Sequence, residues 1–424
     1  MEITEKQKEL IGQKEALLRE YDAWKERKLS LNIARGKPSK EQLALSMDLF
    51  TVLTPETDMI AEDGTDTRNY GCLQGIPEAR RLMGEILGAD MENVIIFGGS
   101  SLNIMYDTVS MAMVHGIGGA TPWGKLDKVK FLCPVPGYDR HFSVTQSFGI
   151  EMIPIPMNDE GPDMDSVEAL VSSDASVKGI WCVPKYSNPG GVVYSDETVR
   201  RFARLAPKAP DFRIFWDNAY CIHDFDPDHP REILNILTEA EKAGNPDIVY
   251  EFGSFSKITF PGSSISAMAS SAKNVAEVLS VMQNQIIGHN KLSQLAHVRY
   301  FRDKAGVIEH MKRHASIMKP KFDAVEEILS KELGGLGIAS WSKPDGGYFV
   351  SFDTLPGCAK KTVAMMKEAG VTMTGAGATY PYKNDPEDRN IRIAPSFATV
   401  EEVRQAVSIF ALVVKLVSIE KLTE

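Results

Sequence analysis

The residue best suited to carry out chemistry is Lys257, which ends a Ser-Phe-Ser-Lys segment and is followed by the turn Pro261-Gly262. Small hydroxyl residues and a Pro-Gly turn let the backbone approach a ligand and let the amine be removed from water. A desolvated lysine amine can form a Schiff base with a carbonyl compound. The alternative is an ordinary solvated lysine, so the neighbouring residues must decide.

Three polar residues upstream of Lys257 could serve the same ligand. Asp217 directly follows the apolar run 214–216, where a buried carboxylate needs a partner such as a protonated ring nitrogen. Tyr220 and Asn188 could donate hydrogen bonds to a ring oxygen. The plainer alternatives are that Asp217 caps a helix and that Asn188, within Asn-Pro-Gly-Gly, only forms a turn.

Residues 99–102, Gly-Ser-Ser-Leu, lie between an apolar run and a predicted helix over 103–115. Main-chain N–H groups and hydroxyls at a helix start can bind a phosphate, although such a turn can also be a plain cap. The common glycine-rich nucleotide motifs are missing here, which weakens a nucleotide interpretation. Tyr138, after a Pro-Gly turn, could stack on a ring or simply pack. Arg392 could grip a carboxylate through two hydrogen bonds or face solvent.

The elements that must position these residues are short apolar runs between about residues 90 and 310. They indicate buried strands of a mostly parallel sheet, flanked by helices. In such sheets, ligands bind at the carboxyl ends of the strands. The polar residues follow these runs, as that rule requires, and the runs are 94–97, 130–132, 179–183, 214–216 and 248–250.

The remaining chain predicts a second, smaller unit. Residues 4–28 have the 3.6-residue apolar period of one amphipathic helix, and the segment 31–38 after it contains Gly and Pro and reads as a loop. From about residue 316, helices alternate with short strands. We therefore predict an α/β fold with a large, mostly parallel-sheet domain at 51–315 and a smaller α+β domain at 316–424, to which the helix and loop of 1–50 belong.

Composition excludes several classes of function. The chain has 424 residues and a formal net charge of -10 spread over its length, which argues against nucleic-acid binding. Its five cysteines are widely spaced without any C-x-x-C pair, so neither a metal site nor a disulfide framework is expected, and reduced thiols fit a cytoplasmic location. No secretory profile and no long apolar window are present, so no membrane association is expected.

Taken together, these residue types and their order resemble the class I aminotransferases among the fold-type I pyridoxal-phosphate enzymes, over nearly the whole chain. The resemblance implies pyridoxal 5'-phosphate as cofactor, bound to Lys257 as a Schiff base. It implies that Asp217 pairs with the ring nitrogen, that Asn188 and Tyr220 hydrogen-bond the ring oxygen, and that Tyr138 stacks on the ring. It further implies a phosphate site formed by Ser100, Ser101, Leu102, Ser254 and Ser256. It also implies a substrate site formed by Gly36, Asn188 and Arg392.

Residues 67–71, Thr-Arg-Asn-Tyr-Gly, resemble the family segment whose tyrosine, here Tyr70, reaches the phosphate of the neighbouring subunit. The resemblance thus implies a homodimer with shared active sites. One departure is that many members have an arginine soon after the Pro-Gly turn that follows the lysine, where this chain has Ser263-Ser264-Ile265. The phosphate charge must be balanced by other groups.

The motifs are most similar to a divergent subgroup that includes bacterial aspartate aminotransferases, which implies transfer of an amino group from aspartate to 2-oxoglutarate in two half-reactions. A dicarboxylic substrate needs a second cation, and Lys291, Arg35 and Lys37 all remain open. The alternatives are an aromatic or broad-range aminotransferase, a lyase with the same cofactor, and a ligand-sensing regulator. Since only about thirty residues precede the substrate loop, too few for a DNA-binding domain, the regulator is the least expected.

Overall fold

The computed structural model describes residues 3–424, and its elements are numbered here in chain order. The helices are α1 (Glu5–Gly12), α2 (Lys14–Glu26), α3 (Lys40–Ala44), α4 (Pro77–Leu87), α5 (Ser101–His115), α6 (Asp139–Ser147), α7 (Met164–Ser173), α8 (Asp196–Ala203), α9 (Ile236–Lys242), α10 (Ala272–Met282), α11 (Lys291–Phe301), α12 (Lys304–Leu333), α13 (Ala359–Glu368) and α14 (Val400–Thr423). The strands are β1 (Leu31–Asn32), β2 (Val94–Phe97), β3 (Lys130–Val135), β4 (Glu151–Asn158), β5 (Gly161–Pro162), β6 (Val177–Cys182), β7 (Arg213–Asp217), β8 (Val249–Ser254), β9 (Ser266–Ala269), β10 (Ala339–Trp341), β11 (Val350–Thr354), β12 (Val371–Thr372) and β13 (Asn390–Ile393).

The largest sheet has the strand order β2-β9-β8-β7-β6-β3-β4-β5. Strands β4, β3, β6, β7 and β8 run parallel to one another. Strand β9 is antiparallel to both β8 and β2, and β5 is antiparallel to β4. The central strands are buried along nearly their whole length, which is typical of a parallel sheet covered on both faces and explains their mostly apolar sequences. The prediction of an α/β fold with a mostly parallel sheet is confirmed.

Each predicted run contributes a strand to this sheet, but β4, the two-residue β5 and β9 were not predicted. Strand β4 alternates Ile and Met with Pro, so its sequence lacks the continuous apolar run that marks the central strands. Strand β9 is only four small or flexible residues, Ser-Ala-Met-Ala. Both escape a search for continuous apolar runs, because their environment and not their composition makes them strands.

A second group of elements packs apart from the large sheet. A three-stranded sheet has the order β10-β11-β13, and the short pair β1-β12 is parallel. One hydrophobic cluster joins α1 and α2 to α12, α13 and α14, through residues such as Leu17, Leu329 and Val413. The N-terminal segment therefore packs with the C-terminal elements. The domain limits 1–50, 51–315 and 316–424 stay a prediction, and residues 1 and 2 lie outside the described part.

The prediction of a single N-terminal helix over residues 4–28 was wrong. The structure has two helices, α1 and α2, which meet at Gln13. The break follows Gly12, and glycine costs about 1 kcal/mol relative to alanine inside a helix, so this is the natural place for an interruption.

Within residues 3–424, no helix is long and apolar enough to cross a membrane. The same range contains no group of three or more His, Cys, Asp or Glu side chains arranged to hold a metal ion.

Candidate active site

The carboxyl ends of the parallel strands open onto a cavity of about 260 Å³. Strand β7 ends at Asp217, β8 ends at Ser254 just before Lys257, and β2 leads into the turn before α5. The cavity collects nearly all the predicted site residues, namely Gly36, Ser100, Ser101, Leu102, Tyr138, Asn188, Asp217, Tyr220, Ser254, Ser256 and Lys257. Polar groups from strands far apart in the sequence therefore converge, as the strand-end rule predicted.

Among the described residues, two lysines line this cavity, Lys257 and Lys37. Burial lowers the pKa of the Lys257 amine below its usual value, an effect that the carboxylate of Asp217 partly opposes. The Lys257 Nζ lies 4.8 Å from the centroid of the Tyr220 ring. Lys257 is thus partly buried, and its surroundings disfavour the charged amine, unlike those of an ordinary surface lysine.

Asp217 is the last residue of β7 and is followed by a turn, so it does not cap a helix. One carboxylate oxygen, Oδ2, is 3.0 Å from Nε2 of the buried His141. The other, Oδ1, is buried without a hydrogen-bond partner among residues 3–424. A buried carboxylate oxygen without a partner is costly, and it fits a ligand that brings its own proton, such as a protonated pyridine nitrogen.

His141 is a residue that the sequence did not single out. Its ring stacks on Trp181 with 4.5 Å between centroids, and Trp181 donates a hydrogen bond of 2.8 Å to Thr145. His141 lies three residues after Tyr138, so both face inward from the start of α6. That spacing was the only signal in the sequence, and it is too common to have been informative.

The turn before α5 offers donors for an anion. Ser100 is the N-cap of the 15-residue helix α5, but its side chain makes no capping hydrogen bond. The first N–H groups of the helix and the hydroxyls of Ser100 and Ser101 therefore face the cavity. The hydroxyls of Ser254 and Ser256 are 3.1 Å apart beside them, and Ser256 also donates to the carbonyl of Gly99. This donor set fits a phosphate.

Arg392 is buried in β13 and reaches the cavity through Asn188. Its Nη1 donates to Asn188 Oδ1 at 3.2 Å and to Asp139 Oδ1 at 2.8 Å, and its guanidinium carbon is 4.9 Å from the Phe349 ring centroid. The solvent-facing alternative is wrong, because the neighbouring strand and Phe349 cover the side chain. Asp139 was not expected as its partner.

Three other predicted residues lie outside the cavity lining. Tyr70 is 82% exposed and does not line the cavity of its own chain. Lys291 is buried and donates to the carbonyl of Gly71 at 3.0 Å, which removes it from the cavity. Arg35 is exposed outside the lining, whereas Lys37 lines the cavity with its Nζ 4.0 Å from the Phe397 ring centroid. Lys37 is therefore the best placed of the three proposed cations.

Two further residues near the site were missed. Arg140, next to Asp139, is close enough for its charge to lower the pKa of Tyr138, although burial of that phenol dominates and raises the pKa overall. His223 is buried between Tyr220 and Tyr348, with centroids 5.6 and 5.7 Å away, and neither ring nitrogen has a partner within the described residues. Burial, with the nearby charge of Lys257, holds the pKa of His223 well below its usual value.

The chain is similar to known aminotransferases over nearly its whole length. The family model described as aspartate amino-transferase matches residues 6–424. An aspartate aminotransferase from Corynebacterium glutamicum is 45% identical over 407 residues, which cover 96% of this chain and 94% of that protein. A Mycolicibacterium smegmatis protein named provisionally as an aminotransferase is 46% identical over 98% of this chain and 97% of its own. The crystal structure of an aspartate transaminase from Corynebacterium glutamicum superposes with a TM-score of 0.94 at 44% identity, over 97% of both chains.

Proposed function

Because the chain belongs to the aspartate amino-transferase family and is an aminotransferase, we propose that it moves the amino group of aspartate to 2-oxoglutarate with pyridoxal 5'-phosphate bound at Lys257. The observation that carries the proposal is the pairing, in one cavity, of the desolvated Lys257 amine with the unsatisfied Asp217 Oδ1. These two groups match the two ends of one cofactor, its aldehyde and its ring nitrogen.

Each group has a proposed role. Asp217, oriented by His141, holds the ring nitrogen protonated, and Tyr138 covers the ring. The start of α5 with Ser100, Ser101, Ser254 and Ser256 binds the phosphate. Since this donor set includes no arginine, neutral hydroxyls and helix N–H groups replace the cation found in many members.

When bound, pyridoxal phosphate supplies an aldehyde that takes up the amino group and a ring that withdraws electrons from the substrate Cα. The protein contributes binding and proton transfer. Arg392 and Asn188 bind the α-carboxylate, and the lowered pKa of Lys257 keeps its Nζ able to accept the proton from Cα. Burial of the cavity walls limits the water that could compete for that proton.

The proposed distal-carboxylate cation is Lys37, because it lines the cavity beside Gly36. Its charge would favour substrates with a second carboxylate over apolar ones. Phe397, below the Lys37 amine, would instead suit an aromatic side chain if the ammonium moved aside. This contact is the observation that keeps an aromatic or broad-range specificity as the second candidate.

We also propose a homodimer with shared sites in a cytoplasmic setting. Tyr70 is exposed and lies outside its own cavity, as expected of a residue that serves the partner's phosphate. All five cysteines are free thiols, which suits a reducing compartment. A complementation experiment tests the sharing. We expect Lys257→Ala to be inactive alone and Tyr70→Ala to be weakly active, and their mixture should regain activity, because one site of the heterodimer then has both residues. No recovery in a verified heterodimer would refute shared sites.

The substrate proposal is tested with the cofactor-loaded enzyme and single L-amino acids, aspartate, phenylalanine and leucine, with and without 2-oxoglutarate. We expect oxaloacetate and glutamate in equal amounts from aspartate, and no sustained turnover without the acceptor. A higher kcat/KM for phenylalanine would favour the aromatic candidate, and free ammonia without an acceptor would indicate a lyase. Lys257→Ala is the control, and full activity in that variant would overturn the proposed role of the lysine.

A further inference from the structure

Behind the turn that carries Lys257 lies a set of buried polar side chains that substrate and cofactor do not need. We call Gln42, His310, His314 and Tyr348 the α12 network, since both histidines are on helix α12. All four are 1 to 2% exposed, and none is among the residues lining the cavity in the described chain. Buried polar groups are costly unless each has a partner, so their contacts are informative.

The α12 network holds two consecutive carbonyl groups of the lysine turn. The Tyr348 hydroxyl donates to the carbonyl of Lys257 at 3.3 Å, and His310 Nε2 is 2.9 Å from the carbonyl of Ile258. On the other side of the turn, the amides of Ile258 and Thr259 both donate to the carbonyl of Phe255 at 2.9 Å. The turn is thus held by backbone hydrogen bonds on one side and by hydrogen bonds from side chains on the other.

The hydrogen bonds fix where the His310 proton lies. Arg313 Nη2 is 2.8 Å from His310 Nδ1, and a guanidinium can only donate, so Nδ1 is an acceptor. The proton of the neutral ring is therefore on Nε2, where it faces the carbonyl of Ile258.

The same reasoning fixes His314. Gln42 Oε1 accepts from the amide of Ser39 at 3.0 Å, so its Nε2 must donate to Tyr348 at 2.9 Å and to His314 Nδ1 at 3.1 Å. The proton of His314 is then also on Nε2. The Ile258 carbonyl favours the protonated state of both rings, and the Nε2 atoms of His310 and His314 are 3.1 Å apart, so the two rings are in direct contact beside that carbonyl.

Burial keeps both rings neutral. It lowers the pKa of His310 to about 4 and that of His314 to about 3, and the nearby Arg313 charge acts in the same direction on both. The other groups that face the pair are the uncharged Ser46, Tyr300 and Gln42. The hydrogen-bond pattern is therefore the same across the physiological range.

We propose that Gln42, His310, His314 and Tyr348 are positioning residues that hold the Lys257 and Ile258 carbonyls and so fix the point from which the Lys257 amine enters the cavity. The inference rests on the proposed role of Lys257. Misplacing a reacting group by about 1 Å can cost on the order of 100-fold in rate, so a network that fixes this turn affects kcat more than substrate binding.

The test compares two tyrosines that lose the same hydroxyl. Tyr348→Phe removes the bond to the Lys257 carbonyl. Tyr21→Phe removes the bonds of another buried tyrosine, 2.9 Å to the carbonyl of Met365 and 3.2 Å to Glu368, and Tyr21 does not line the cavity. We expect kcat to fall roughly tenfold or more in Tyr348→Phe with KM within about twofold, and neither to change in Tyr21→Phe. The pH midpoint of the visible absorption of the loaded enzyme should move only in Tyr348→Phe.

A second variant, Gln42→Met, removes both donated bonds while keeping the side-chain length. Combined with Tyr348→Phe, its effect on kcat should be less than additive, because Gln42 acts on the Lys257 carbonyl through the Tyr348 hydroxyl. If Tyr348→Phe and Tyr21→Phe behave alike in kcat and in the absorption midpoint while Lys257→Ala is inactive, the positioning role is refuted and the proposed function stands. If Lys257→Ala is fully active, both fail.

Discussion

The guanidinium of Arg392 is paired with the carboxylate of Asp139 at 2.8 Å, so the arginine proposed to bind the substrate is already engaged by an acid of its own chain. Asp139 begins α6 directly after Tyr138 and is partly exposed, whereas Arg392 is buried. An incoming α-carboxylate must displace Asp139 or share the guanidinium with it.

Removing this internal competitor should tighten substrate binding. A partly exposed ion pair contributes about 0.2 to 1 kcal/mol, so Asp139→Asn should lower KM for aspartate up to about fivefold with little change in kcat. Asp174→Asn is the matched control, because Asp174 is equally exposed and pairs with Lys130 at 2.6 Å away from the cavity. Steady-state kinetics with both substrates decide, and a raised KM in Asp139→Asn would mean that Asp139 assists binding.

The cation for the distal carboxylate can be identified by the ratio of kcat/KM for aspartate to kcat/KM for leucine. Lys37→Met should lower kcat/KM for aspartate about 10- to 100-fold, the loss expected for one charged hydrogen bond, and should leave leucine nearly unaffected. Lys291→Met serves as control, since that amine is committed to the Gly71 carbonyl and should alter stability but not the ratio. If Arg140→Met changes the ratio and Lys37→Met does not, the distal carboxylate is held from helix α6 instead.

The Asp217 carboxylate should be needed for the chemical step. In Asp217→Asn the buried charge that we propose to face the ring nitrogen is lost, and we expect kcat to fall on the order of 100-fold or more. Asp211→Asn makes the same change at an equally buried carboxylate, which is bonded to Lys178 and Trp123 outside the cavity. That control should lower thermal stability yet keep kcat, and equal losses of kcat in the two variants would argue against a specific role for Asp217.

Stability should depend on the protonation of Glu251, on β8. Burial raises the pKa of this carboxyl to about 8, while its hydrogen bond from Asn218 opposes the shift. Since the unfolded chain releases this proton near its usual value of 4.5, the folded state binds more protons between about pH 5 and 8, and stability falls as pH rises there. The slope is at most about 1.4 kcal/mol per pH unit.

Glu251→Gln has the same shape without the titration. Denaturant unfolding of the apoenzyme at several pH values should show a shallower decline for Glu251→Gln than for the parent chain between pH 5 and 8. Asn218 can still donate to the amide oxygen. Parallel curves for the two proteins would show that Glu251 does not titrate in this range.

The close approach of Gly36 to Phe349 should limit substitution in the substrate loop. A Cβ at Gly36 would lie 2.4 Å from Phe349 Cζ, so Gly36→Ala must displace the loop or the ring beneath Arg392. We expect KM for aspartate to rise roughly tenfold. Gly12→Ala meets nothing within 4 Å and should leave KM unchanged, and an unchanged KM in Gly36→Ala as well would show that the loop adapts.

The sequence predicted the site residues that lie at or after the ends of strands of the large sheet. Asp217, Asn188 and Lys257 were found because each comes after its own apolar run, and the parallel sheet brings the ends of such runs to one edge. The family and the enzyme class are confirmed separately, by the family match over residues 6–424 and by relatives of 45 and 46% identity. The roles of the individual residues stay predictions.

Pairings across long sequence distances could not be predicted. Asp139 meets Arg392, which is 253 positions later, and Gln42 meets Tyr348 across 306 positions. Neither pair has a local pattern, because the partners are brought together only by how the helices pack on the sheet. The choice among Lys37, Arg35 and Lys291 was open for the same reason.

The parallel pair β1-β12 joins Leu31 to Val371 and Asn32 to Thr372, immediately before the loop that carries Gly36 and Lys37. During synthesis, this N-terminal strand must therefore wait for about 340 further residues before its partner exists. The sheet that supports Lys257 is complete earlier, at β9. A nascent chain would thus assemble the proposed cofactor-binding sheet first and complete the support of the proposed substrate loop only near the end of translation.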